Sequence, residues 1–163
     1  MRRTAALLPL VAGLLLTAAA LLGPPRILVT EVKGAAPTPG AVLAIEAHHH
    51  TDEANPDVSA RAIGLRGTER ITKNIALTAT SVGTRYGVTK QWENGTAWVL
   101  VFTIKQGDHA QFNTAEAMVK VDATGRIVGI VTPGAENARG DRYPRALKAE
   151  EIEEALNSLR AGR

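Results

Sequence analysis

The chain contains no cysteine. Disulfides, thiolate metal sites, a cysteine nucleophile and the lipid-modified cysteine of a bacterial lipoprotein are all excluded at once. An exported domain without disulfides must be stabilised by its core alone. Aromatic residues are scarce, at 4% of 163, so the few Trp and Phe side chains are expected to anchor that core. An excess of charge of one sign is nearly absent as well. The net charge is +3, and setting aside Arg2 and Arg3 leaves 17 basic against 16 acidic residues. These charges are interspersed, with no basic stripe interleaved with aromatics, which argues against nucleic acid as a partner.

Catalytic patterns are missing too. None of Ser59, Ser81 and Ser158 sits in a G-x-S-x-G elbow. There is no Walker motif and no dinucleotide fingerprint, and Gly125 and Gly129 read as turn and strand glycines. Glu150 and Glu151 belong to a solvated helix face. The expectation is a protein that is not an enzyme and needs no cofactor.

What is present begins with an apolar N-terminus. After Met1-Arg2-Arg3 the chain runs from Thr4 to Gly23, 20 residues without a charge, and Pro24-Pro25 end any helix there. A signal-peptide core is about 7–15 residues long, whereas a helix that spans the bilayer needs about 20. Length favours an uncleaved single-pass anchor in the inner membrane. The alternative is a signal peptide cut near Ala18-Ala19-Ala20, which would release the rest to the periplasm. In both cases Arg2 and Arg3 stay in the cytoplasm and everything after Pro25 lies outside. Thr4-Ala5-Ala6 after the twin arginines make a Tat signal weak.

The remainder divides into a linker at 24–40, a β domain at 41–133 and a flexible tail with an amphipathic helix at 134–163. Within the linker, 27–32 is a candidate edge strand. From Ala41 onward the hydrophobic period is two, the strand period. Leu43, Ile45 and Ala47 share a face, with Glu46, His48 and His50 opposite; Ile71, Ile75 and Leu77 alternate with polar residues over 71–80; Tyr86, Val88 and Trp92 share a face. In 97–105 both faces are apolar, which predicts a central strand. Ala115, Ala117, Val119 and Val121 form one further face, 126–131 supplies another strand, and 58–65 a weaker one.

Asn94-Gly95 predicts a type I′ hairpin, Asp122-Ala123-Thr124-Gly125 a second tight turn and Arg66-Gly67-Thr68 a third. Asn94-Gly95-Thr96 also matches a glycosylation sequon, which the turn explains. About seven short strands at this spacing predict an all-β, antiparallel sandwich. Lys148 to Arg160 places Ala149, Ile152, Leu156 and Leu159 on one helical face, with acidic residues at the start, Arg160 at the end and Gly162 beyond. That face either packs on the sandwich or docks on a partner. The stretch 134–146 is expected to be a flexible connection.

The segment Gly83-Thr84-Arg85-Tyr86 … Trp92-Glu93-Asn94-Gly95-Thr96-Ala97-Trp98-Val99-Leu100-Val101 resembles bacterial extracytoplasmic immunoglobulin-like domains of the YtkA-like and CopC-like kind. The resemblance extends over about 41–133, with 83–101 its specific part. It implies an immunoglobulin-like sandwich in which the tyrosine closes one strand and the tryptophan begins the next core strand. Some members of those families handle copper through His and Met, while this chain has only Met1 and Met118.

One cluster invites a metal. On a strand His48 and His50 project from the same side as Glu46, and a His-x-His pair with a carboxylate suits Zn²⁺ or Cu²⁺. His109 or Asp52 would have to complete the shell, and nothing in the sequence brings them near. The plainer reading is a solvent-facing strand end leading into a polar loop. Two functions follow. The leading one is a membrane-anchored, extracytoplasmic, non-catalytic accessory or structural subunit that binds or braces protein partners in a membrane complex such as a bioenergetic one. The alternative is a periplasmic copper or zinc carrier or chaperone.

Overall fold

The computed structural model describes residues 25–48, 57–106, 113–136 and 138–161. Its strands are β1 (Arg26–Glu31), β2 (Ala41–His48), β3 (Asp57–Arg66), β4 (Glu69–Asn74), β5 (Thr78–Ala79), β6 (Arg85–Thr89), β7 (Ala97–Lys105), β8 (Thr114–Val121), β9 (Ile127–Val131), β10 (Gly134–Glu136) and β11 (Arg142–Pro144). One helix, α1 (Ala149–Ala161), follows. The strands form a four-stranded sheet in the order β1-β2-β6-β5, a five-stranded sheet in the order β4-β3-β7-β8-β9, and a separate β10-β11 pair. Every pairing is antiparallel, so the fold is all-β with one C-terminal helix.

Period-two patterning decides which side chains meet. Ile27 and Val29 of β1, Leu43, Ile45 and Ala47 of β2 and Val88 of β6 come from the first sheet. They share one core with Ala60 and Ala62 of β3, with Trp98, Leu100, Phe102 and Ile104 of β7, and with Ala115, Ala117, Val119 and Val121 of β8. The other face of the five-stranded sheet is apolar too. Ile63, Val99, Val101 and Met118 pack against Ile152, Ala155, Leu156 and Leu159 of α1 in a second cluster. The protein is therefore sheet on sheet on helix. All of β7 except Lys105 is buried, as expected for a central strand covered on both faces.

Three connections differ from the sequence expectation. Asn94-Gly95 does not close a hairpin, because β6 pairs with β2 and β5 while β7 pairs with β3 and β8. Gly95 does take a positive φ of 87°, but among the described residues no non-glycine residue does, and a type I′ turn needs two such positions. The segment instead crosses from one sheet to the other and seals an end of the core. Trp92 donates its ring N–H to the Gly125 carbonyl at 3.2 Å, Trp98 donates to the Glu93 carbonyl at 3.0 Å, and the Gly95 amide donates to the Ala123 carbonyl at 2.7 Å. The run 71–80 is likewise broken: β4 ends at Asn74 in one sheet and β5 begins at Thr78 in the other, with buried Ile75 between them. The stretch 134–146, expected to be a flexible connection, contains the β10-β11 hairpin.

The two remaining turns fall where expected. Gly67-Thr68 joins β3 to β4, with Arg66 opposite Glu69. In the β8–β9 turn the Asp122 carboxylate accepts from the amides of Thr124 and Arg126 and from the Thr124 hydroxyl. These hydrogen bonds, led by that from the Thr124 hydroxyl, hold the Asp122 carboxyl below its usual range.

Residues 25–40 of the expected linker are part of the sandwich rather than a spacer before it. Their β1 lies in register along β2, Val29 opposite Ile45. The loop that follows folds back until the Thr38 hydroxyl lies where a side chain on Gly87 would begin, 1.8 Å from the position a Cβ would take. Gly87→Ala should therefore cost about 1–3 kcal/mol by overpacking. Thermal melting should show it, and adding Thr38→Ala should recover part of the loss.

Candidate functional site

At one end of the four-stranded sheet, β1, β2 and β6 bring polar side chains together on the solvent face. Arg26 lies opposite His48, Leu28 opposite Glu46, and Glu46 opposite Arg85. Alternation forces this: the chain neighbours of the inward-facing Ile27, Ala47, Ile45 and Tyr86 must face outward. The Glu46 carboxylate forms an ion pair with the Arg85 guanidinium at 2.9 Å and stands 3.7 Å from His48 Nε2. Two of the three sequence-predicted metal ligands, Glu46 and His48, are thus neighbours. The third, His50, lies outside the described residues, as do Asp52 and His109. Among the described residues no group of three or more His, Asp or Glu side chains is placed to hold a metal ion. Arg85 pairs with Oε1 of Glu46, and Oε2 is the oxygen nearer His48.

Beside this cluster the sheet borders an open groove of about 800 Å³. Arg26, Leu28 and His48 line it on one side, and Pro133, Arg142 and Tyr143 of the β9–β10 connection and hairpin on the other. Leu28 is 49% exposed and Tyr143 39%, the largest apolar surfaces near this end. Among the described residues neither Arg26 nor Arg142 is in an ion pair. Sequence reasoning missed Arg142 and Tyr143 because they lie in a short segment without alternation. A usable signal was an Arg-Tyr-Pro triplet amid glycine-rich loop. A second hollow of about 20 Å³, between Leu65, Ala97 and Leu156, has room for about one water.

A buried carboxylate fixes the C-terminal region. Glu116, on the helix-facing side of β8, accepts from the Thr103 hydroxyl and the Leu147 amide, both at 2.8 Å. Its own amide donates to the Arg145 carbonyl at 3.1 Å. Arg145 then grips Glu151 with two guanidinium hydrogen bonds of 2.7 and 2.6 Å, and Glu151 also accepts from the Lys148 amide at 2.8 Å. This is the carboxylate half of a capping box at the start of α1. Arg70 of β4 pairs with Glu153 further along the helix.

The Arg145 hydrogen bonds, helped by the Lys148 amide, lower the Glu151 pKa from 4.5 to about 2. A lowered carboxyl pKa stabilises the fold above the unfolded value, and the contribution is lost as pH falls through the folded one. The helix clamp should therefore weaken between pH 4.5 and about 2. Melting temperatures of wild type and Glu151→Gln should differ at pH 7 and converge near pH 2. A constant difference across that range would rule out this clamp.

Comparisons with protein families, characterised proteins and solved structures find no match to this chain. Among the described residues no helix is long and apolar enough to cross a membrane, and residues 4–23 lie outside them.

Proposed function

We propose that this chain is a non-catalytic accessory subunit, tethered to the inner membrane by residues 4–23, whose immunoglobulin-like sandwich stands on the extracytoplasmic side and binds protein partners of a membrane complex. The observation that carries this reading is the run of 20 uncharged residues after Arg2-Arg3, joined by two prolines to the first strand of the core. A tether that enters the sandwich directly holds it in one place at the membrane, as a brace requires.

The sheet edges supply a partner surface. Natural edge strands are protected by charge, bulges or cover. β4 carries Glu69, Arg70 and Lys73 along its edge. β9, the opposite edge of the same sheet, reads IVGIV without a charge, and Val128 is 49% exposed. An extended segment of a partner adding to β9 would satisfy its free backbone groups. α1 offers no comparable surface, since its apolar side is buried on β7 and β8.

The test starts with carbonate extraction of native membranes and the intact mass of the retained chain. We expect a membrane-retained species that includes Arg2 and co-purifies with protein in mild detergent. Val128→Lys should reduce that co-purification at least several-fold, while an exposed position of this kind changes stability by less than about 0.5 kcal/mol. A lone monomer from native membranes would end the subunit reading.

A further inference from the structure

We infer that the groove between β1 and the β10-β11 hairpin is a seat for anionic phospholipid headgroups, holding the sandwich against the membrane in a fixed orientation. The inference rests on the anchor in the proposed function and deepens it. Only Pro24 and Pro25 separate Gly23, the last residue of the apolar run, from Arg26. Extended chain covers at most about 3.6 Å per residue, so Arg26 stands within about 11 Å of the end of the span. A headgroup layer is about 5–8 Å deep on each side of the hydrocarbon. Arg26 is the first residue of a strand locked in register to β2, so the whole end of the sandwich is brought to the headgroups with it.

The chemistry of that end matches the layer. Arg26 and Arg142 are exposed cations on opposite walls of the groove, and among the described residues neither has a carboxylate partner. Of the nearby carboxylates, Glu46 is paired with Arg85 at 2.9 Å, and Glu136, opposite Arg142 across the β10-β11 pair, makes no ion pair with it. Leu28 and Tyr143 give the groove apolar and amphipathic side chains, the types that settle at a membrane interface. Unpaired arginines beside exposed leucine and tyrosine suit a phosphate diester with an acyl chain below it. Guanidinium binds phosphate in a bidentate fashion, but the contribution here is chiefly charge, worth about a fivefold preference for anionic lipid per basic residue.

The experiment uses the full chain reconstituted into vesicles of phosphatidylcholine alone or with phosphatidylglycerol. Each sample is washed with carbonate and then followed by hydrogen exchange. With phosphatidylglycerol we expect exchange over 26–31 and 142–144 to slow about fivefold or more, and unchanged exchange over β7. Arg26→Gln with Arg142→Gln should abolish the difference without altering the melting temperature, while Arg26→Lys with Arg142→Lys should keep most of it. A chain that resists carbonate in both lipids but exchanges identically in both overturns the headgroup seat and leaves the anchor standing. A chain that carbonate strips from both overturns the anchor, and the seat falls with it.

Discussion

Trp98→Ala should destabilise the protein by about 3–5 kcal/mol, the range for emptying a large, fully buried site. The ring is 1% exposed and belongs to the core between the sheets. It lies against Gly64, its cross-strand partner on β3, so closely that a Cβ there would come within 2.6 Å of the ring. It also bonds the Glu93 carbonyl through its N–H at 3.0 Å, and Lys73 Nζ sits 4.6 Å from the ring centroid. Truncation removes a core filler, leaves a carbonyl without its donor and leaves Gly64 facing a void. Collapse to fill that void is hindered, because β3 and β8 clamp β7 from both sides. Denaturant unfolding followed by the remaining tryptophan, Trp92, measures the effect. Trp98→Phe should cost visibly less, since most of the volume stays and only the donor is lost. A shift below about 1 kcal/mol for Trp98→Ala would mean the ring is not the packed centre described.

The same residue marks how far the sequence could be read. Alternation around Trp98 predicted a central strand, and the strand is central, because a period of two with both faces apolar has few other solutions. Strand positions for β2, β6, β8 and β9 were legible for the same reason, and so was the Asp122–Gly125 turn. Asn94-Gly95 was misread. Turn chemistry reports that one residue needs positive φ, which Gly95 has, but not whether the strands on either side pair with each other. The break between β4 and β5 was invisible, since Ile71, Ile75 and Leu77 keep their apolar spacing while the chain changes sheets.

The candidate site was legible only in part. Glu46 and His48 do share a face, as period two requires. Their nearest cation, Arg85, comes from a strand paired by register and not by sequence proximity. Glu116 went unnoticed because it sits opposite the apolar face of β8, on a side that reads as solvent until α1 and the 145–148 segment are placed over it. Arg142 and Tyr143 carry no periodic signal at all; only the closing of the β10-β11 hairpin places them across from Arg26.

Removing α1 should unfold the sandwich rather than free it. From sequence alone the 134–163 region also admits a reading as a detachable arm. Its apolar residues are instead the outer layer of the core: Ile152, Ala155, Leu156 and Leu159 cover Val99, Val101, Ile63 and Met118. Burying a leucine or isoleucine stabilises by about 1.5–3 kcal/mol, so the three large side chains of α1 together account for several kcal/mol. That is a large fraction of the roughly 5–15 kcal/mol by which a typical domain is stable. Truncation after Lys148 would also expose a valine face on the central strand and remove Glu151, leaving Arg145 without its partner. A chain ending at Lys148 should therefore aggregate or show no cooperative unfolding. Leu156→Asp should act in the same direction in the full chain, since Leu156 is 1% exposed and an unpaired carboxylate there would be buried. Glu154→Ala, on the exposed side of the same helix, should change stability by less than about 0.5 kcal/mol. Circular dichroism and denaturant midpoints of the three variants decide the matter. If the truncated chain keeps a sharp transition near the wild-type midpoint, the helix is an arm after all, and its apolar face becomes the stronger candidate for the partner surface now assigned to β9.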